Sequence, residues 1–208
     1  MKRIVISEDH TMFAQMVKMW LQQDNTAEVI AVASSGVDTM KIVAEHLPDI
    51  LLQDMKLHDM GGVDVIKRVR VEYPEVRVFG ITAKTILAKM ALESGAHGCM
   101  LKEDNPQVIR HVIEWDTSQG VWVSPLLGER FFRASQELMK YNFTVAEMNI
   151  LRLIGESNTV IATELGISEG TVRNTLSTVY QKTNITSRAE LGRYVQDVLL
   201  LANTSGLS

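Results

Sequence analysis

The chain has 208 residues, 46% of them hydrophobic and 22% charged, a composition that supports packed cores and argues against wholesale disorder. Its single cysteine, Cys99, excludes a disulfide framework and suits a reducing compartment, so the cytoplasm is the expected location. The formal net charge is −4; residues 1–115 hold 13 basic against 16 acidic side chains and residues 141–208 hold 5 against 6, so charge alone does not suggest a nucleic-acid binder.

The opening Met1–Ser7 carries two positive charges, but its apolar run stops at Glu8-Asp9, which is not the pattern of a secretory signal. Arg3–Ser7 reads as a strand. Over Thr11–Gln23 the residues Met12, Phe13, Met16, Val17, Trp20 and Leu21 recur on one broad helical face. Then follow a strand at Glu28–Ala33, a helix at Gly36–His46 and a buried strand at Asp49–Gln53. A helix at Val63–Glu72, a strand at Val76–Ile81 and a helix at Thr85–Ser94 come next. The series closes with a strand at Gly98–Leu101 and a helix at Asn105–Thr117, whose Val108, Ile109, Val112 and Trp115 face inward. Five such βα units imply a parallel sheet with helices on both faces. Ligands of these sheets bind outside the carboxyl ends of the strands.

Gly120–Pro125 punctuates the chain, and Leu126–Lys140 reads as a helix. After Asn142 the pattern is helices only, at Val145–Gly155, Thr159–Leu165, Glu169–Thr183 and Ser187–Leu201. The class therefore changes from α/β to all-α near residues 120–140. The apolar stretch Val198–Ala202 is too short to span a bilayer. The five histidines are scattered without metal-ligand spacing and read as structural.

Three carboxylates fall at strand ends: Glu8 and Asp9 after the first strand, Asp54 after the third. Like charges gathered in a pocket need neutralising, and a hard divalent cation such as Mg²⁺ takes carboxylate, carbonyl and water oxygens. Thr82 and Lys102 end the fourth and fifth strands. A hydroxyl and an ammonium facing a metal-bound carboxylate suit a phosphoryl group. With Ile6-Ser7-Glu8-Asp9, Pro48–Asp54, Ile81-Thr82-Ala83 and Gly95–Lys102, residues 1–118 resemble the receiver domains of two-component response regulators.

That resemblance implies a flavodoxin-like (βα)5 domain in which Asp54 accepts phosphate from a sensor histidine kinase. It implies that Glu8, Asp9, Asp54 and the Lys56 backbone carbonyl hold Mg²⁺, and that Thr82 and Lys102 engage the phosphoryl oxygens. The chain departs from the family at three places. His58 stands where a proline is usual, Cys99 where the switch aromatic is usual, and Glu103 where a proline commonly follows the lysine. The chemistry of the acceptor is retained, while the aromatic relay is missing.

In the last third, Val160, Ile161, Ala162 and Leu165 make a short helix, Gly166-Ile167-Ser168 a tight turn, and Ser168 an N-cap for the next helix. On that helix Val172, Leu176, Val179 and Tyr180 face inward, while Arg173, Asn174, Ser177 and Gln181 lie on other faces. Arginine and asparagine can read guanine and adenine edges in the major groove. On spacing alone a plain helical bundle remains an equal reading.

Thr144-Val145-Ala146-Glu147, Ile161–Ser168, Thr171-Val172-Arg173-Asn174 and Ser187-Arg188-Ala189-Glu190 resemble the LuxR-type helix-turn-helix. Together with a receiver, they resemble the NarL/FixJ class. The resemblance implies DNA contacts by Arg173, Asn174 and Ser177, with Lys182 positioning the backbone. Here too there are departures: Ser177 stands where a lysine is common, Thr175 replaces a histidine, and Gly155–Asn158 is about two residues short.

The expected organisation is a receiver at 1–118, a connection with a helix at 119–141 and a four-helix DNA-binding domain at 142–208. The implied partners are promoter DNA, a sensor histidine kinase, a second copy of the chain and RNA polymerase. The last helix offers Leu191, Tyr194, Val195, Val198 and Leu199 as an apolar stripe, part of which is expected to pack on its own domain and the remainder, by the resemblance, to pair two DNA-binding domains. An alternative keeps DNA binding but makes the receiver a phosphorylation-independent dimerisation or partner module. An enzyme is not expected, because phosphoaspartate phosphatases commonly place a second aspartate where this chain has Lys56.

Overall fold

A computed structural model describes residues 1–22 and 27–195 (for Leu138, the backbone alone). Two compact units divide the chain, the first ending at Gly128 and the second beginning at Glu129.

The first unit holds strands β1 (Lys2–Ser7), β2 (Ala27–Ala33), β3 (Ile50–Asp54), β4 (Arg77–Thr82), β5 (Gly98–Leu101) and β6 (Trp122–Val123). Helices α1 (Thr11–Gln22), α2 (Gly36–His46), α3 (Gly62–Glu72), α4 (Thr85–Glu93) and α5 (Val108–Glu114) alternate with them. The strands lie in the order β2-β1-β3-β4-β5-β6, every neighbouring pair parallel. Side chains alternate across the sheet with period two. Ile4, Ile6, Ile50, Leu52, Phe79 and Ile81 pack with Ala14, Val17 and Leu21 of α1 and with Ile109, Val112 and Ile113 of α5. Val5, Leu51 and Val78 alternate with them, fully buried toward the opposite face. Each such side chain stabilises the fold by roughly 1.5–3 kcal/mol relative to exposure.

This order puts a topological switch between β1 and β3, where the chain leaves the middle of the sheet in opposite directions. The carboxyl ends of those two strands are the residues Ser7 and Asp54.

Two expectations need correcting here. Gly120–Pro125 is not mere punctuation, because Trp122 and Val123 pair with Gly98 and Cys99 as a sixth strand. Two residues are too short to show an alternating pattern, and only the free edge of β5 makes them a strand. The helix expected over 105–117 is limited to Val108–Glu114; Trp115 leaves it in an extended conformation yet still packs against the core.

Helix α6 (Pro125–Tyr141) spans the division between the units. The second unit continues with α7 (Val145–Arg152), α8 (Asn158–Leu165), α9 (Glu169–Thr183) and α10 (Arg188–Tyr194). Each of these four starts at a hydroxyl N-cap: Thr144, Ser157, Ser168 and Ser187. Such caps contribute about 1 kcal/mol each. Thr144 and Glu147 complete a reciprocal capping box. Gly166, with φ +64°, makes the left-handed turn between α8 and α9. Helix α7 stops at Arg152, short of the expected Gly155.

Ile150, Leu151, Ile154, Ile161, Val172, Leu176, Val179, Leu191 and Val195 form the core of this unit. It takes in the part of the last helix's apolar stripe that was expected to pack on its own domain. Leu191 and Val195 are buried in their own domain and Tyr194 packs against the same core, so these residues are not free to pair with a second copy. Val198 and Leu199 lie outside the described residues.

Candidate functional site

Strand ends bring the acidic residues together. Glu8, Asp9 and Asp54 each offer a carboxylate oxygen, all within 4.8 Å of one another, and Glu8 and Asp54 are both 3% exposed. Lys102 reaches in from the end of β5, its Nζ 2.6 Å from Glu8 Oε2 and 3.0 Å from Asp54 Oδ2. Burial pushes the Glu8 carboxyl up, and repulsion from Asp54 adds to it, against the hydrogen bond donated by Lys102. Burial works against the Lys102 charge, but its hydrogen bonds to Glu8 and Asp54 outweigh that and raise its pKa. One ammonium thus holds two of three carboxylates. The oxygen donor set and its excess negative charge fit a hard divalent cation. Phe13 of α1 lies against the same ammonium, its ring centroid 4.9 Å from Nζ, a cation–π contact.

The loop after β3 also faces the site. Lys56 donates its backbone N–H to Asp54 Oδ1 at 3.2 Å, and His58 Nδ1 stands 3.7 Å from Asp9 Oδ2. Asp59 turns away from the pocket and caps α2.

Thr82 ends β4, 1% exposed, with its hydroxyl accepting from the Lys84 N–H and its carbonyl accepting from the Lys102 N–H. Behind it Cys99 is fully buried. A Cβ on Gly80 would meet Cys99 Sγ at 2.9 Å and Ala91 Cβ at 3.1 Å, so small residues let α4 sit close to the sheet here. Burial pushes the Cys99 thiol up, which keeps it protonated. No swinging side chain occupies the position of the family's switch aromatic.

The second set of residues is on α9. Val172, Leu176 and Val179 are buried, while Arg173, Asn174, Ser177 and Gln181 are exposed along the helix. Thr175 and Thr178 donate their hydroxyls to the carbonyls of Thr171 and Asn174. Lys182 differs from its expected neighbours: its Nζ is 2.8 Å from Glu147 Oε2, a carboxylate 6% exposed. Burial opposes the Glu147 charge, but Lys182 and the Thr144 cap together hold its carboxyl below the usual range. Arg188 is likewise committed internally, to the Ile154 carbonyl at 3.0 Å and to Asn158 Oδ1 at 2.8 Å.

Sequence reasoning missed Phe13, Asp59 and the Glu147–Lys182 pair. Glu147 had a signal, a glutamate three residues after a threonine, which is the capping-box spacing. Phe13 and Asp59 had none, because each acts across the fold on a residue remote in sequence.

Comparison with known proteins agrees with this geometry. Residues 4–114 match the response regulator receiver domain family, and residues 142–195 match the LuxR family of bacterial regulatory proteins. The nitrate/nitrite response regulator protein homolog of Haemophilus influenzae is 28% identical over 192 residues, covering 89% of this chain and 92% of its own. The transcriptional regulatory protein DegU of Brevibacillus brevis is 26% identical over 212 residues, covering 90% of each chain.

Among solved structures, RcsB of Salmonella enterica serovar Typhimurium, bound to promoter rprA in the presence of phosphomimetic BeF3−, superimposes with a TM-score of 0.66. It is 18% identical and covers 95% of this chain and 100% of its own, which is a likeness of fold. The receiver domain of the NarL response regulator from Mycobacterium tuberculosis gives a TM-score of 0.52 at 28% identity, over 57% of this chain and 97% of its own. With a receiver in the first unit and a LuxR-type helix-turn-helix in the second, the chain is a response regulator of the NarL/FixJ class, a DNA-binding regulator of transcription.

Proposed function

We propose that Asp54 is the phosphoacceptor, receiving its phosphoryl group from a sensor histidine kinase, and that the modified protein acts as a dimer on promoter DNA. The observation that carries this reading is the set of three carboxylates within 4.8 Å, two of them held by Lys102. Glu8, Asp9, Asp54 and the Lys56 carbonyl would hold Mg²⁺, which when bound supplies charge neutralisation at the acceptor. Phosphorylation adds roughly 1.5–2 negative charges. Lys102 then exchanges its Asp54 contact for phosphoryl oxygens, with the Thr82 hydroxyl as a second partner. The acceptor turns over no small-molecule substrate in this reading.

Residues 1–118, with the edge strand Trp122–Val123, would serve as the receiver, the rest of 119–141 as the connection and 142–208 as the DNA reader, in the cytoplasm. Arg173, Asn174 and Ser177 would face base edges and phosphates. Lys182, already bound to Glu147, would contribute to the DNA backbone only by sharing its ammonium. Few free cations make a monomer weak and salt-sensitive, and two half-sites bound together raise affinity by effective concentration. RNA polymerase is the partner such a regulator would address at the promoter.

A second reading is favoured by Cys99, buried where a relay aromatic would swing. In it the receiver dimerises or binds a partner without phosphorylation. Acetyl phosphate with Mg²⁺, read by intact mass and by promoter binding, separates the two. The main reading expects one phosphate-sized gain that vanishes in Asp54→Asn, together with tighter promoter binding in the modified protein alone. Equal promoter affinity for wild type and Asp54→Asn under phosphorylating conditions gives the case to the second reading.

A further inference from the structure

The loop that follows the acceptor is tied down at its far end by one side chain. Asp59 lays its carboxylate across the first turn of α2, Oδ1 accepting from the Gly36 N–H at 2.8 Å and Oδ2 from the Val37 N–H at 3.0 Å. First-turn N–H groups have no partner within their own helix, and the helix dipole favours an anion there. These bonds hold the Asp59 carboxyl far below the usual carboxylate range. The approach is close. A Cβ on Gly36 would lie 2.6 Å from Met60 Cβ, and one on Gly62 would lie 2.6 Å from the Asp54 carbonyl oxygen.

The same turn of α2 is tied to β1. The Thr39 hydroxyl donates to the Ser35 carbonyl at 2.7 Å, so the Ser7 hydroxyl is the donor in its own 2.7 Å bond to Thr39 Oγ1. Ser7 and Thr39 are both buried, and Ser7 immediately precedes Glu8. One helical turn therefore grips the strand end that carries Glu8 and Asp9 and, through Asp59, the loop that carries Lys56.

From this we infer that Asp59 is a positioning residue for the metal and phosphoryl site: it sets the spacing between the β1 carboxylates and the acceptor loop while touching neither ligand. The inference rests on the reading of Asp54 as phosphoacceptor. Released from α2, the loop must be ordered at the moment of binding, and affinity falls by the entropy of that ordering. Removing supports of this kind from metal sites typically costs 10–100-fold in affinity.

The test titrates the full-length protein with Mg²⁺ by calorimetry and follows the initial rate of phosphorylation by acetyl phosphate. It compares wild type, Asp59→Ala, Asp59→Asn, Asp59→Ala combined with His58→Pro, and His58→Pro alone, which isolates the loss of the imidazole beside Asp9. A proline at 58 fixes φ and lowers the freedom of the loop without any carboxylate. Asp59→Ala should weaken Mg²⁺ binding about tenfold and slow phosphorylation to match, with Asp59→Asn in between because it keeps one acceptor oxygen. Adding the proline should restore most of both losses.

Equal Mg²⁺ affinity in wild type and Asp59→Ala overturns the inference, and so does a loss that the proline leaves untouched. A wild type that binds no Mg²⁺ and gains no phosphate removes the phosphoacceptor reading first and the inference with it.

Discussion

The receiver and the LuxR-type unit use charge in opposite ways. In the receiver two of the three clustered carboxylates, Glu8 and Asp54, are buried, and the cluster is out of balance. Glu8, Asp9 and Asp54 crowd within 4.8 Å, and Lys102 compensates only part of them. In the second unit the buried charge is scaffold: Glu147 is paired with Lys182 and Arg188 is bonded to backbone and amide oxygens. The exposed face of α9 is left with Arg173 and, one turn before it, Glu169, among neutral polar side chains. A site that must respond to added charge gains from crowding like charges where the effective dielectric is low. A face that reads bases works in water through directed hydrogen bonds, where charge raises affinity but carries little sequence information.

The sharpest way to break this comparison is Arg173→Ala. Loss of a bidentate base contact should cost about 1–3 kcal/mol of promoter affinity, roughly 5–150-fold, measured by fluorescence anisotropy at fixed salt. Ser177→Ala should cost less. Promoter binding unchanged in Arg173→Ala would remove α9 from the reading face.

Lys182→Met probes the scaffold half. It leaves Glu147 buried without its partner, and should lower the stability of the second unit by about 2 kcal/mol in urea unfolding. The figure is below the roughly 3–5 kcal/mol of a fully buried pair because the Lys182 side chain is 31% exposed. If promoter affinity falls only where the domain begins to unfold, Lys182 is scaffold alone. An affinity loss under fully folding conditions gives it the phosphate contact as well.

The receiver half makes a pH prediction. The Glu8 carboxyl is raised from 4.5, so between that value and its folded pKa the native state holds a proton the unfolded chain has lost. Metal-free stability should therefore decline as pH rises through that window. Mg²⁺ should offset the decline increasingly at higher pH. Glu8→Gln should flatten the slope and abolish the Mg²⁺ effect, both seen in thermal unfolding with and without the ion. A metal-free stability that climbs over the same range would show that Lys102 fully compensates the pocket.

The smallest expected effect is at Tyr194, whose hydroxyl is buried with no hydrogen-bond partner among the described residues. Tyr194→Phe should leave stability within about 0.5 kcal/mol of wild type or raise it slightly. A loss above 1 kcal/mol by the same unfolding assay would mean that the hydroxyl has a partner after all.

Legibility followed the range of the interaction. The alternating strands and helices of the receiver were readable because each pattern is local: of the face expected on α1, Val17 and Leu21 are buried and Phe13 and Trp20 pack against the core, although Met12 is exposed and Ala14 is buried in its stead. The Ser168 cap of the second unit was readable for the same reason, as were Gly166 and the buried row of α9, whereas the caps at Thr144, Ser157 and Ser187 emerged only with the structure. The short strand Trp122–Val123 was not, since its conformation depends on an edge 24 residues back along the register that pairs Gly98 with Trp122. The stripe on α10 was readable as an apolar face, but not which of its residues its own domain covers, because amphipathicity does not say what lies against a face; Leu191 and Val195 are covered by their own domain.

By itself the sequence determined the class of each unit, the order of the strands' functional residues and the chemistry available at their ends, because side-chain period and residue type are local properties of the chain. Only the tertiary structure decided which charges meet. Lys102 and Glu8 lie 94 residues apart and Lys182 and Glu147 35 apart, and whether an ammonium is a phosphate sensor or a structural partner depends on what the fold brings within about 3 Å of it. Asp59 makes the same point. In the sequence it is one more acid in a loop; across α2 it becomes the tie between the loop after β3 and the helix.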